Sequence, residues 1–189
     1  MALDTPSGGG AQQTPPRSDV PRYYRVACRF HEDEKVRKWS DRTKLFALYV
    51  LTTKHRNLEG FFILPPEYAA ADLGWKKGQV IRELGVLQAE GFLSFDSEAN
   101  LLLIRNALKY QQPDSVNVQK GVISRLKNLP ESPDLFKEFI NLATVHCEQS
   151  SPSVLVQGFP AILKKAFRLD DESQRLSQTI ALSGGGANR

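Results

Sequence analysis

Lys76, Lys77, Gln79 and Arg82 lie close together, just behind a Leu-Gly-Trp corner. Their chemistry is that of contact with duplex nucleic acid. Ammonium groups meet phosphates, and amide and guanidinium heads make bidentate contacts to adenine and guanine edges. No comparable constellation supports catalysis. Cys28 and Cys147 are too few and too far apart for a disulfide framework or a zinc site. His146 beside Cys147 lacks metal-ligand spacing, and His31 and His55 stand alone. Nothing marks an activated nucleophile. The expectation is a protein that is not an enzyme and that uses no metal and no cofactor.

Two helices must position these side chains. Pro65 and Pro66 open the first, where a missing N–H is harmless, and Glu67 suits the positive end of the helix dipole. Ala69, Ala70 and Ala71 keep it slim, and Gly74 ends it. Trp75 is expected to plug the corner. Val80, Leu84 and Leu87 stripe one side of the second helix, from Lys76 to Glu90. That leaves Lys76, Lys77, Gln79 and Arg82 on the other side, with Glu83 and Glu90 as carboxylates that oppose phosphates. The Pro66 to Phe92 stretch thus reads as a helix-turn-helix.

The chain of 189 residues has a net charge of +4, with 41% hydrophobic residues. No apolar run approaches the roughly 18 residues of a membrane helix, so no membrane is expected. Met1 to Asp19 has no apolar stretch of the secretory kind, and a cytoplasmic protein is expected. Basic residues concentrate just ahead of the corner: Arg22, Arg25, Arg29, Lys35, Arg37, Lys38, Arg42, Lys44, Lys54 and Arg56, against Glu32, Asp33, Glu34 and Asp41. Arg37, Lys38, Arg42 and Lys44 flank the start of a long helix and are candidate phosphate contacts, since helix N-termini attract anions. A solvated basic face explains each of them equally well.

Residues 1–22, with Gly-Gly-Gly and a Pro pair, read as a disordered leader. A domain follows over 23–112. YRVACRF, Tyr24 to Phe30, alternates as a short strand does, and Glu32 to Lys38 suits a brief helix. Ser40 is an N-cap for a strong helix from Asp41 to about His55, apolar on most sides and expected to be central and buried. Phe61 to Leu64 reads as a strand, and Phe92 to Phe95 with Leu101 to Ile104 as a hairpin with an acidic tip, Asp96 and Glu98. This order is that of a winged helix: mainly α with a small β-sheet, an α+β fold. The acidic tip is expected to contribute little to DNA binding, because a wing that follows the backbone carries Lys or Arg.

Residues 113–147 form a helical extension, Asn117 to Leu129 and Asp134 to about Cys147, split by Pro130 and Pro133. Lys120, Arg125 and Lys127 on its first helix lengthen the basic track or simply face water. Residues 148–189 read as a flexible tail with an amphipathic piece near 159–169, where Phe159, Ile162, Leu163 and Phe167 share one face. That face suits a groove on a partner protein, or on its own domain.

From about Tyr23 to Phe139 the wording resembles the N-terminal domain of phage-encoded replication initiators, or replisome organisers, similar in architecture to the winged-helix part of primosome proteins such as DnaD. The segments that carry this are VRKWSDRTKLFALYVLTTKHRNLEGFFILPPEYAAADLGW, LGVLQAEGFLSFD, LLLIRNALKYQ and NVQKGVISRLKNLPESPDLFKEF. The resemblance implies origin recognition in a bacterial host cell: a homo-oligomer on repeated double-stranded DNA sites, recruiting a helicase or helicase loader. Glu148 to Arg189 lies outside it. A transcriptional regulator, and a module that uses this fold for protein contacts alone, are the alternative expectations.

Overall fold

The computed structural model describes residues 24–149 and 154–167. Expectations for the 1–22 leader and the chain beyond 167 lie outside the described residues. The chain is mostly helical with a small antiparallel sheet, an α+β arrangement. Helices α1 (Glu34–Lys38) and α2 (Asp41–Thr52) precede strand β1 (Phe61–Ile63). Next come α3 (Pro66–Leu73), α4 (Lys77–Ala89), β2 (Leu93–Asp96) and β3 (Leu101–Ile104). Four helices follow: α5 (Ala107–Tyr110), α6 (Val116–Leu126), α7 (Pro133–Gln149) and α8 (Val154–Phe167).

Local signals place most of these boundaries. Ser40 Oγ accepts the Thr43 N–H at 3.1 Å and starts α2, while Asp33 caps α1 in the same way. Pro66 occupies the first turn of α3, and Gly74 closes it at φ 67°, in the left-handed region. Tyr24 to Phe30 is not a strand. It is extended only as far as Ala27 and then forms a short 3-10 helix, Cys28–Glu32. The described sheet has the order β1-β3-β2 and does not take this segment in. Alternation alone makes a strand only where an edge is free to pair with it.

The sheet is the middle layer of three. Phe62, Leu102 and Ile104 face a core shared with Trp39, Phe46, Val80, Leu84 and Leu87. Phe61, Leu101 and Leu103, at the alternate positions, face a second core built by α6, α7 and α8. Both faces of β3 are therefore covered, which explains its unbroken apolar run Leu-Leu-Leu-Ile. The pairing of Phe61 with Leu103 and of Phe95 with Leu102 fixes the register.

Two expectations of burial are corrected. Helix α2 buries Thr43, Phe46, Ala47 and Val50 but leaves Leu45 half exposed, so it is an amphipathic wall and not a central rod. The tail piece begins at Val154 and runs through Pro160. Its Phe159 and Leu163 are fully buried in the second core, and the Phe167 ring lies 5.1 Å from that of Phe136. Only Ile162 of the four expected partner contacts stays largely exposed. Large apolar faces dock where a core is unfinished, and α7 offers one here.

Candidate nucleic-acid interface

Trp75 sits half-buried at the corner between α3 and α4, tilted against Phe46 with the ring centroids 6.0 Å apart. Its N–H bonds to the Ala70 carbonyl at 2.9 Å, which closes the turn behind Gly74. The Arg42 guanidinium lies 5.8 Å from the Trp75 ring centroid, within cation–π range. The corner therefore brings Arg42 over Trp75, the neighbour of Lys76 in the chain, although Arg42 is far away in sequence.

The four side chains expected to face DNA have different situations. Gln79 Oε1 accepts the Lys76 N–H at 2.9 Å, a capping-box bond that satisfies a free donor at the start of α4. It is thereby drawn back to the helix end and not extended toward a base. Lys77 Nζ pairs with Glu67 Oε1 at 2.5 Å, and this contact holds the Glu67 carboxyl below its ordinary pKa. Lys76 and Arg82 are exposed and enter no ion pair among the described residues.

Glu83 is corrected outright. It lies on the inner side of α4, 5% exposed, with Oε2 accepting from Thr43 Oγ1 at 2.7 Å. Ser40 Oγ stands 2.8 Å from the same hydroxyl. With Val80, Leu84 and Leu87 it anchors α4 to the start of α2 and keeps its charge off the outer face. Glu90 is exposed at the far end, where its carbonyl accepts from Lys35 Nζ at 3.3 Å.

The outer face of α4 presents Gly78, Ile81, Arg82 and Gly85 at helical spacing. Ile81 is 50% exposed, and a Cβ built on either glycine would meet nothing within 4 Å. Sequence reading missed this trio of Gly78, Ile81 and Gly85. Their 3.6-residue spacing opposite the apolar stripe was the available signal.

The remaining basic residues divide. Arg37 and Lys38 are exposed in the last turn of α1, which Lys35 ties to the opposite end of α4 from Arg42. Lys44 is half-buried, 3.9 Å from Asp41. Arg56 is buried, out of reach of a phosphate backbone. Arg125 is not part of a basic track, because its Nε and Nη2 each donate at 2.8 Å to the fully buried Glu59 carboxylate.

At the hairpin tip, Asp96 Oδ1 accepts the N–H groups of Glu98 and Ala99 at 2.9 and 3.1 Å. The Ser132 side chain is the largest influence holding the Asp96 carboxyl below its ordinary value, followed by these backbone bonds. The tip is thus tied to the loop ahead of α7. Among the described residues no group of three His, Cys, Asp or Glu side chains could hold a metal, and no helix is long and apolar enough to cross a membrane. No family model, curated protein or solved structure matches this chain.

Proposed function

We propose that this chain is a sequence-specific double-stranded DNA-binding protein, a winged helix-turn-helix whose α4 enters the major groove. The observation that carries the reading is the outer face of α4. It is exposed, small at Gly78 and Gly85, and bears an arginine with no ion pair among the described residues, while the inner face is fixed by packing. Small residues let a helix approach base edges closely, Arg82 suits a guanine O6/N7 pair, and Ile81 suits a thymine methyl. Lys76 and Arg42 at the N-terminal end of α4 supply phosphate contacts that set register. Arg37, Lys38 and Lys44 add charge that speeds capture. Gln79 and Lys77 act by shaping the corner. The hairpin is structural, since its tip is acidic and bound to the helical extension.

The replicative role, with assembly of several copies on origin repeats and recruitment of a helicase or its loader, rests on the resemblance of wording to phage replication initiators alone. A small module needs repeated sites to gain specificity, which agrees with that role. Selection of bound fragments from the source replicon, followed by anisotropy titration across salt, tests the proposal. Enrichment of a repeated site with steeply salt-dependent affinity is expected. Absence of salt-dependent association even at low ionic strength would leave the protein-contact reading, which the exposed Ile81 and Val86 on α4 favour.

A further inference from the structure

Arg56 is 3% exposed, yet among the described residues no carboxylate pairs with it. Its Nη1 donates to the Leu51 carbonyl at 2.8 Å and its Nη2 to Gln111 Oε1 at 2.9 Å, and the Tyr24 ring covers it at 4.6 Å. Its Nε–H has no hydrogen-bond partner among the described residues. The only other buried side-chain polar atom there without one is Trp39 Nε1, on a residue 8% exposed. Both residues line the same pocket, of about 420 Å³. Buried donors are almost always paired, and a buried cation held by neutral groups alone is unfavourable.

The rest of the pocket is consistent with an anion. Phe30, Val36, Leu51, Phe92 and Ile104 give it an apolar interior, and Arg25 stands at its rim. Three lining carboxylates bear on the charge balance. Glu32 pairs with Arg29 at 3.5 Å, Asp33 caps α1, and Glu90 is exposed at the far end of α4. Among the described residues none of them pairs with Arg56, whose charge is met only by two carbonyl dipoles and the Tyr24 ring.

We propose that this pocket binds a small apolar carboxylate. One carboxylate oxygen accepts from Arg56 Nε–H, the other from the Trp39 indole N–H, and the apolar body lies against Val36, Leu51 and Phe92. The volume falls within the usual range for small-molecule sites, about 300–1,000 Å³. Both nitrogens are covered as the chain stands, so the ligand reaches them with an outward shift of the segment from Tyr24 to Phe30. That shift gives up the Tyr24 ring contact and the Tyr24 hydroxyl bond to the Arg56 carbonyl, but the 3-10 helix of the segment buries no residue and Phe30 is only partly buried. This inference is independent of the DNA reading.

The test is titration of the full chain with 3-phenylpropanoate and with its neutral amide, following the two indole N–H signals by NMR. Trp75→Phe assigns them. Expected is a saturable movement of the Trp39 signal at a Kd of about 1 mM or tighter, with the Trp75 signal fixed. The amide should bind at least about tenfold more weakly, since it forfeits a charge-assisted bond. Arg56→Lys should weaken the acid likewise. Should that variant fail to fold, Ala27→Phe narrows the exposed mouth without touching Arg56 and should also abolish the shift. An unmoved Trp39 signal with both probes, equal affinity for acid and amide, or undiminished binding by Ala27→Phe would overturn the proposal.

Discussion

Replacing Arg125 with alanine should unfold this protein far more readily than replacing Arg82, although both arginines are exposed on helices. Arg125 makes two 2.8 Å charge-assisted bonds to Glu59, a carboxylate with no solvent exposure. Removing one member of a buried pair leaves an uncompensated charge and costs about 3–5 kcal/mol. The Arg125 side chain is itself 45% exposed, so water screens part of the attraction and about 2–4 kcal/mol is expected. In urea, with a slope of about 2 kcal/mol per molar, the unfolding midpoint should fall by about 1–2 M. Adding Glu59→Leu to Arg125→Ala removes the stranded charge and should recover at least about 1 kcal/mol. Arg82→Ala should stay within about 0.5 kcal/mol of the parent, yet lose about 1–3 kcal/mol of discrimination at one base pair. A midpoint unchanged by Arg125→Ala, or a chain destabilised by Arg82→Ala, would refute the assignment of one arginine to folding and the other to recognition.

Three further outcomes follow from the same structure. Gln79→Ala should lower stability by about 1 kcal/mol through the lost capping bond while leaving base preference intact; relaxed preference at unchanged stability would return Gln79 to the groove. Asp96 has a folded pKa below its ordinary 3.8, so its contribution is full above that value and is lost as the pH falls through it toward the folded pKa. Denaturant midpoints should therefore show a flatter acid limb for Asp96→Asn than for the parent, and neutralising Asp96 with Glu98 should not weaken DNA binding; an equally steep limb, or weaker binding, would contradict the reading. Leu163→Ala should cost about 2–5 kcal/mol by opening a cavity between α7 and α8, whereas Ile162→Ala should be nearly neutral by thermal or chemical unfolding. Equal effects would mean that α8 does not dock as described.

The elements were legible wherever the signal is local. Ser40 as a cap, Pro66 in a first turn, Gly74 at positive φ and the hairpin strands on either side of the turn from Ser97 to Asn100 each act over a few residues. The α3–α4 corner and the buried stripe Val80, Leu84 and Leu87 followed from periodicity. Tyr24 to Phe30 misled because its alternation says nothing about whether a sheet edge is available. Arg56 gave no sequence signal at all, since a buried guanidinium and a solvated one are spelled alike.

By itself, then, the amino-acid sequence determined most of the elements, the mainly helical fold with its small sheet, and a charged helix behind a tight corner. Tertiary structure alone decided which of those charges are free. It turned Glu83 inward to Thr43, drew Arg125 onto Glu59, laid Arg42 over Trp75 and buried Phe159 and Leu163 against α7. The reason is physical. Capping and periodicity are properties of neighbours along the chain, whereas an ion pair or a packed face depends on residues dozens of positions away, brought together only when the two cores close on the sheet.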